Sequence, residues 1–146
     1  MYLEITKFNT TNLSGASGVT MIDMVDADEV VSRIYNLSNG AIFDADGSTD
    51  ADIALGQVVA TFRLVTATGG LATLNTAVTN FKGLEGKSAV LQGILRGASD
   101  TTYQCTARCI GVEPMKMEYT DVRGKAGSVV ARITMTWQKK SQWAAV

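Results

Sequence analysis

The sequence predicts a mainly β fold, an antiparallel β-sandwich or split barrel with one inserted α-helix at about residues 70–83. Three observations predict it. Several stretches alternate apolar and polar residues with a period of two, as Val129, Ala131, Ile133, Met135 and Trp137 do against Val130, Arg132, Thr134, Thr136 and Gln138. One stretch carries a helical stripe instead, with Leu71, Leu74, Val78 and Phe81 at i, i+3, i+7 and i+10. Finally, 146 residues that are 46% apolar and 18% charged suffice for one domain that buries about two thirds of its unfolded surface.

In chain order, residues 3–8 read as a short edge strand. Asn9 to Gly18 is a polar, glycine-bearing connection. Val19–Val25 and Val30–Tyr35 are β-branched enough for two strands, joined by an acidic turn at Asp26-Ala-Asp-Glu29. Asn39 to Asp52 reads as loop. Gln57–Thr66 is a strand with Val58, Ala60, Phe62 and Leu64 on one face. The helix follows, and Gly83 stands where a left-handed residue would end it. Four more strands close the chain: Ser88–Arg96, Thr102–Glu113, Met115–Asp121 and Ser128–Lys139. Arg123-Gly-Lys-Ala-Gly127 turns between the last two. All of this makes a single domain, 1–146, with an N-terminal arm and strands over 1–34 and a helix-bearing sandwich over 35–146.

Composition narrows the chemistry. There is no histidine, which excludes imidazole triads and histidine-ligated metals. An enzyme is not expected, nor a cofactor. Cys105 and Cys109 fall on one face of a strand, roughly 13 Å apart at ~3.3 Å per residue. A disulfide needs Cα atoms within about 7 Å, so these two are expected as buried thiols. Gly83-Leu-Glu-Gly-Lys-Ser88 ends like a phosphate-binding loop, but Phe81 stands where the first glycine is needed, and the helix precedes the loop. It reads as a helix stop and strand start. No run of 18 apolar residues predicts a membrane span, and the opening lacks the basic-then-apolar pattern of a secretory leader.

Charge is lopsided. Residues 1–52 carry nine carboxylates against Lys7 and Arg33, a net of −7, and the remainder carries eleven bases against five acids, a net of +6. Such asymmetry suits a molecule that meets copies of itself through opposite-signed faces. Asp26, Asp28, Glu29, Asp44 and Asp46 are therefore the candidate interface acids. Trp143, past the last strand, either caps the barrel mouth or anchors an interface, and the interface is favoured. Asp44, Asp46, Asp50 and Asp52 surround Gly47 and could wrap a calcium ion, although the register is not that of an EF-hand. A solvated acidic loop is the plainer reading.

From Tyr35 onward the chain also carries a longer pattern. It runs Tyr35-Asn-Leu-Ser-Asn-Gly40-Ala-Ile-Phe43-Asp-Ala-Asp-Gly47, then Phe62-Arg-Leu-Val65. Next come the helix with Leu71, Leu74, Val78 and Phe81, and Gly83-Leu-Glu-Gly86-Lys-Ser-Ala-Val-Leu91. Gly93-Ile-Leu-Arg-Gly97, Tyr103-Gln-Cys-Thr-Ala-Arg108 and Thr134-Met-Thr-Trp137 with Trp143 complete it. This resembles the belt domain of distal tail proteins of long-tailed bacteriophages, over about three quarters of the chain. The phage tail-tube proteins share a related fold. The resemblance implies a structural virion protein, a homo-oligomeric ring (a hexamer) at the distal end of the tail. Its implied partners are the tail-tube protein and the baseplate hub or tail-tip proteins, with DNA only as passing cargo in the lumen. It would be assembled in the bacterial host cytoplasm. A tail-tube subunit stacking in rings is the alternative, and a small monomeric ligand-binding β-barrel is a further one.

Overall fold

The computed structural model describes residues 1–16, 18–31, 34–36, 42–44, 52–66, 70–119 and 129–146. Ten strands and one helix follow in order: β1 Glu4–Phe8, β2 Thr11–Asn12, β3 Val19–Val31, β4 Ile34–Asn36, β5 Ile42–Asp44, β6 Asp52–Thr66, α1 Gly70–Lys82, β7 Ser88–Leu95, β8 Thr101–Tyr119, β9 Val129–Lys139 and β10 Ala144–Ala145. The expected class is borne out: one antiparallel eight-stranded sheet, ordered β2-β1-β7-β8-β9-β6-β3 with β10 beside β8, and, among the described residues, a single helix. β4 and β5 form a separate hairpin.

The sheet curls because its inner face is apolar along every central strand. Val58, Ala60, Phe62 and Leu64 on β6 meet Ala131, Ile133, Met135 and Trp137 on β9, then Cys105, Ala107, Cys109 and Val112 on β8. Trp137 sits at the centre, fully buried, with the Phe8 ring 5.9 Å away and the Phe62 ring edge-on at 6.4 Å. Curling brings β3 back to β1, and Ser14 stitches the seam. Its hydroxyl accepts from the Met21 amide at 3.1 Å and donates to Glu4 Oε1 at 2.7 Å.

The helix covers the inner face of β6, β9 and β8, burying Leu74 and Phe81 in the same core. Val78 is half-buried, whereas Leu71 is 42% exposed. Both cysteines are buried free thiols, as expected. Burial pushes the Cys109 thiol above its ordinary range, opposed by its bond to the Gly111 carbonyl, so it is an inert packing group.

Four local expectations are corrected. Asp26–Glu29 is not a turn: β3 runs unbroken through it, paired to β6 from Val19↔Leu64 to Val31↔Asp52 with two bulges. The ladder satisfies the backbone there, and Asp26 finds a cation inside the barrel. The loop expected over 39–52 contains a strand, Ile42–Asp44, whose three residues are too few to show a period. Thr102–Glu113 and Met115–Asp121 are one strand, β8, not two. The Val112 carbonyl accepts from Lys82 Nζ at 2.9 Å, away from β9. Pro114 lies two residues further, so its missing N–H falls on that same outer side, where β7 no longer runs. Lastly, Gly83 still donates to the Thr79 carbonyl, and the left-handed residue is Gly86, at φ 85°, whose amide reaches the Cys109 carbonyl at 2.7 Å. The helix stop and strand start around residues 83–88 are otherwise as expected. The turn expected at Arg123–Gly127 lies outside the described residues.

Candidate functional site

Two polar constellations stand out on this scaffold. The first is inside the barrel, built from β3, β9 and the two ends of the chain. Alternation along β3 turns Asp26 inward after Met24, and alternation along β9 turns Lys139 inward after Trp137. Their charges meet: Lys139 Nζ lies 2.6 Å from Asp26 Oδ1, with the two side chains 0% and 2% exposed. The other carboxylate oxygen accepts from the Trp143 indole at 3.0 Å and from the Met1 amine at 3.1 Å. Each carboxylate oxygen thus has at least one donor.

This overturns two expectations. The charge asymmetry puts Asp26 at an interface with other copies, whereas the structure spends its carboxylate inside the subunit. The sequence likewise favours Trp143 as an interface anchor. It is half-buried against the core and caps the barrel mouth, the reading ranked second. Both errors have one cause. Lys139 continues the inward register of β9, and a lysine next to Gln138 and Lys140 reads as solvated tail. Asp28 and Glu29 follow on the far part of β3, and Asp44 ends β5. Asp46 lies outside the described residues, as does most of the acidic stretch considered for calcium. Among the described residues no group of three metal-ligating side chains gathers.

The second constellation lies at the seam. Arg96 Nε donates to Glu4 Oε2 at 2.6 Å, and its Nη1 donates to Asp100 Oδ2 at 2.7 Å. The Arg96 guanidinium and the Ser14 hydroxyl hold Glu4 below its ordinary 4.5, against a smaller upward push from burial. Arg96 and the Gly97 amide do the same for Asp100, whose ordinary value is 3.8. Beside this cluster runs a groove of about 440 Å³ between β1 and β3, lined by Leu3, Glu4, Met21, Ile22, Leu95 and Arg96. Its rim leaves Tyr2 74%, Ile22 46% and Leu95 42% exposed.

Depressed carboxylate values fix the sign of a pH effect. The folded state binds these protons less readily than the unfolded chain, so the stabilisation is complete above the ordinary values and drains away as pH falls through the folded ones. Stability is therefore expected to drop below about pH 4.5, and Arg96→Ala should flatten that slope in urea titrations between pH 6 and 3. Parallel profiles for the two proteins would refute the assignment.

Comparison of the chain with protein-family models, with curated proteins and with solved structures finds no match.

Proposed function

We propose that this chain is a structural subunit of a long-tailed bacteriophage virion, forming a homo-oligomeric ring at the distal end of the tail, between the tube and the baseplate or tail tip. The observation that carries the reading is the open architecture of the sheet. The β3–β6 ladder runs past the end of β9, where, among the described residues, Ala54, Ile53 and Asp52 pair only with Glu29, Val30 and Val31. Gln138 caps the start of that extension, its amide donating to the Leu55 and Gly56 carbonyls at 3.0 and 3.3 Å. β8 runs past the end of β7 in the same way. Extended ladders and a partly apolar seam groove supply contact surface outside the core, which is what a ring subunit needs.

The element order adds support. A strand, the single helix, the Leu84-Glu-Gly-Lys87 turn, a strand and then the Ala107-Arg108 strand follow one another as in the family the sequence resembles. A tail-tube subunit remains the second reading, since stacking would use the same extensions.

Negative-stain imaging and sedimentation of the purified chain test this. Sixfold rings, or tubes for the second reading, are the expected result. A monomer up to hundreds of micromolar, with a melting temperature that rises on adding a small ligand, would overturn both in favour of a binding barrel.

A further inference from the structure

The outer face of β3, β6, β9 and β8 is built in cross-strand rows, and two adjacent rows carry opposite charge. In one row Asp23, Thr61, Thr134 and Glu113 stand side by side, the two threonine hydroxyls 3.1 Å apart. In the next, Thr20 is followed by Arg63 and Arg132 in direct register, and Lys116 stands opposite Arg132. Like charges directly opposite on neighbouring strands repel. Asp23, Glu113, Arg63 and Arg132 are all exposed, and among the described residues none has an oppositely charged partner within 4.0 Å. On the other side of the acid row lies a largely apolar one, with Val25 at 47% exposure, half-buried Val59 and Thr136, and Ile110 at 44% in the β8 bulge. Among the described residues this sheet face therefore has no partner, is apolar in part, and sets two cations without an ion pair beside two such anions.

The geometry points to one occupant: the same face of a second copy of this chain. A two-fold axis lying across the strands between the charged rows lays each basic row over the other copy's acid row. Arg63 then comes beside the second copy's Asp23, and Arg132 beside its Glu113, both contacts occurring twice. Four strands at ~4.8 Å and three rows at ~6.6 Å give roughly 380 Å² per copy. That is roughly 760 Å² in total, the size of a weak, transient contact rather than a permanent one. The pairing is accordingly concentration-dependent and weakened by salt. It rests on the reading of the chain as a self-assembling subunit, and joins two subunits, or two rings, back to back.

Charge swaps test it by sedimentation at low salt. Arg63→Glu with Arg132→Glu turns the face predominantly acidic, with Lys116 the one base left in its row, and Asp23→Lys with Glu113→Lys turns it wholly basic. Each double variant alone should lose the paired species, at least a tenfold rise in its dissociation constant, while circular dichroism shows both still folded. An equimolar mixture should regain it, and the quadruple variant, with both rows exchanged, should pair with itself. If the wild-type chain and both double variants form the same oligomers, this inference falls and the ring reading stands. If ordered rings form but the mixture fails to restore pairing, the inference falls likewise. A wild-type chain with no self-association at all removes both.

Discussion

Asp26→Ala is expected to destabilise the subunit by about 3–5 kcal/mol, the effect of breaking a buried ion pair from one side. The substitution takes the carboxylate from Lys139, whose side chain is 0% exposed, and removes the acceptor of the Trp143 indole in the same step. Burial makes the loss large, because the ammonium keeps its desolvation cost while losing the carboxylate 2.6 Å away. Replacing both partners behaves differently. Asp26→Leu with Lys139→Met exchanges the pair for apolar groups of similar volume, which is often neutral or stabilising. Urea unfolding should therefore rank wild type and the double variant close together, with Asp26→Ala far below. A loss under about 1 kcal/mol for Asp26→Ala, the scale of exposed pairs, would mean that water reaches the pair.

Leu74→Asp should do more and prevent folding. Leu74 is the fully buried contact of α1 with the barrel, and a carboxylate there has no cation within the apolar cluster around it. The expected loss exceeds about 4 kcal/mol, comparable with the whole stability of many domains. Leu71→Asp, one turn earlier on the same stripe, is the control. Leu71 is 42% exposed, so this change should stay within about 0.5 kcal/mol. Soluble Leu74→Asp protein with a native circular dichroism spectrum would show that the helix packs on another face.

The contrast between those two leucines shows what the sequence made legible. The helix, its boundaries and the alternation of β6 and β9 are readable because a sustained period needs no partner to be seen. The span of β8 was obscured by Pro114, which reads as a break when only local signals are weighed. It is tolerated because its missing donor faces the side where β7 no longer runs, a fact about tertiary pairing. Asp26 was misplaced for a similar reason. An acid among acids reads as surface until the register of β9, more than a hundred residues later, delivers Lys139 beneath it. The paired rows on the outer face were beyond reach as well. Arg63 and Arg132 are unremarkable singly, and only the β6–β9 register sets them against one another.

That same register has a kinetic consequence. The hydroxyl pair Thr61–Thr134 closes a separation of 73 residues, while β7 and β8 meet across the short turn from Leu95 to Thr101. Contact order this uneven divides folding into an early local phase and a late one limited by loop closure. The β7–β8 hairpin can form on its own timescale, and β8 can recruit β9. β6 must then reach β9 with the helix and the β7–β8 hairpin lying between them in sequence. Until it does, the inner face of β9 from Ala131 to Trp137 stays open to solvent and its far edge stays unpaired. The β6–β9 union is thus the step that shuts the core, and the interval before it is when a neighbouring nascent chain could pair with the wrong strand.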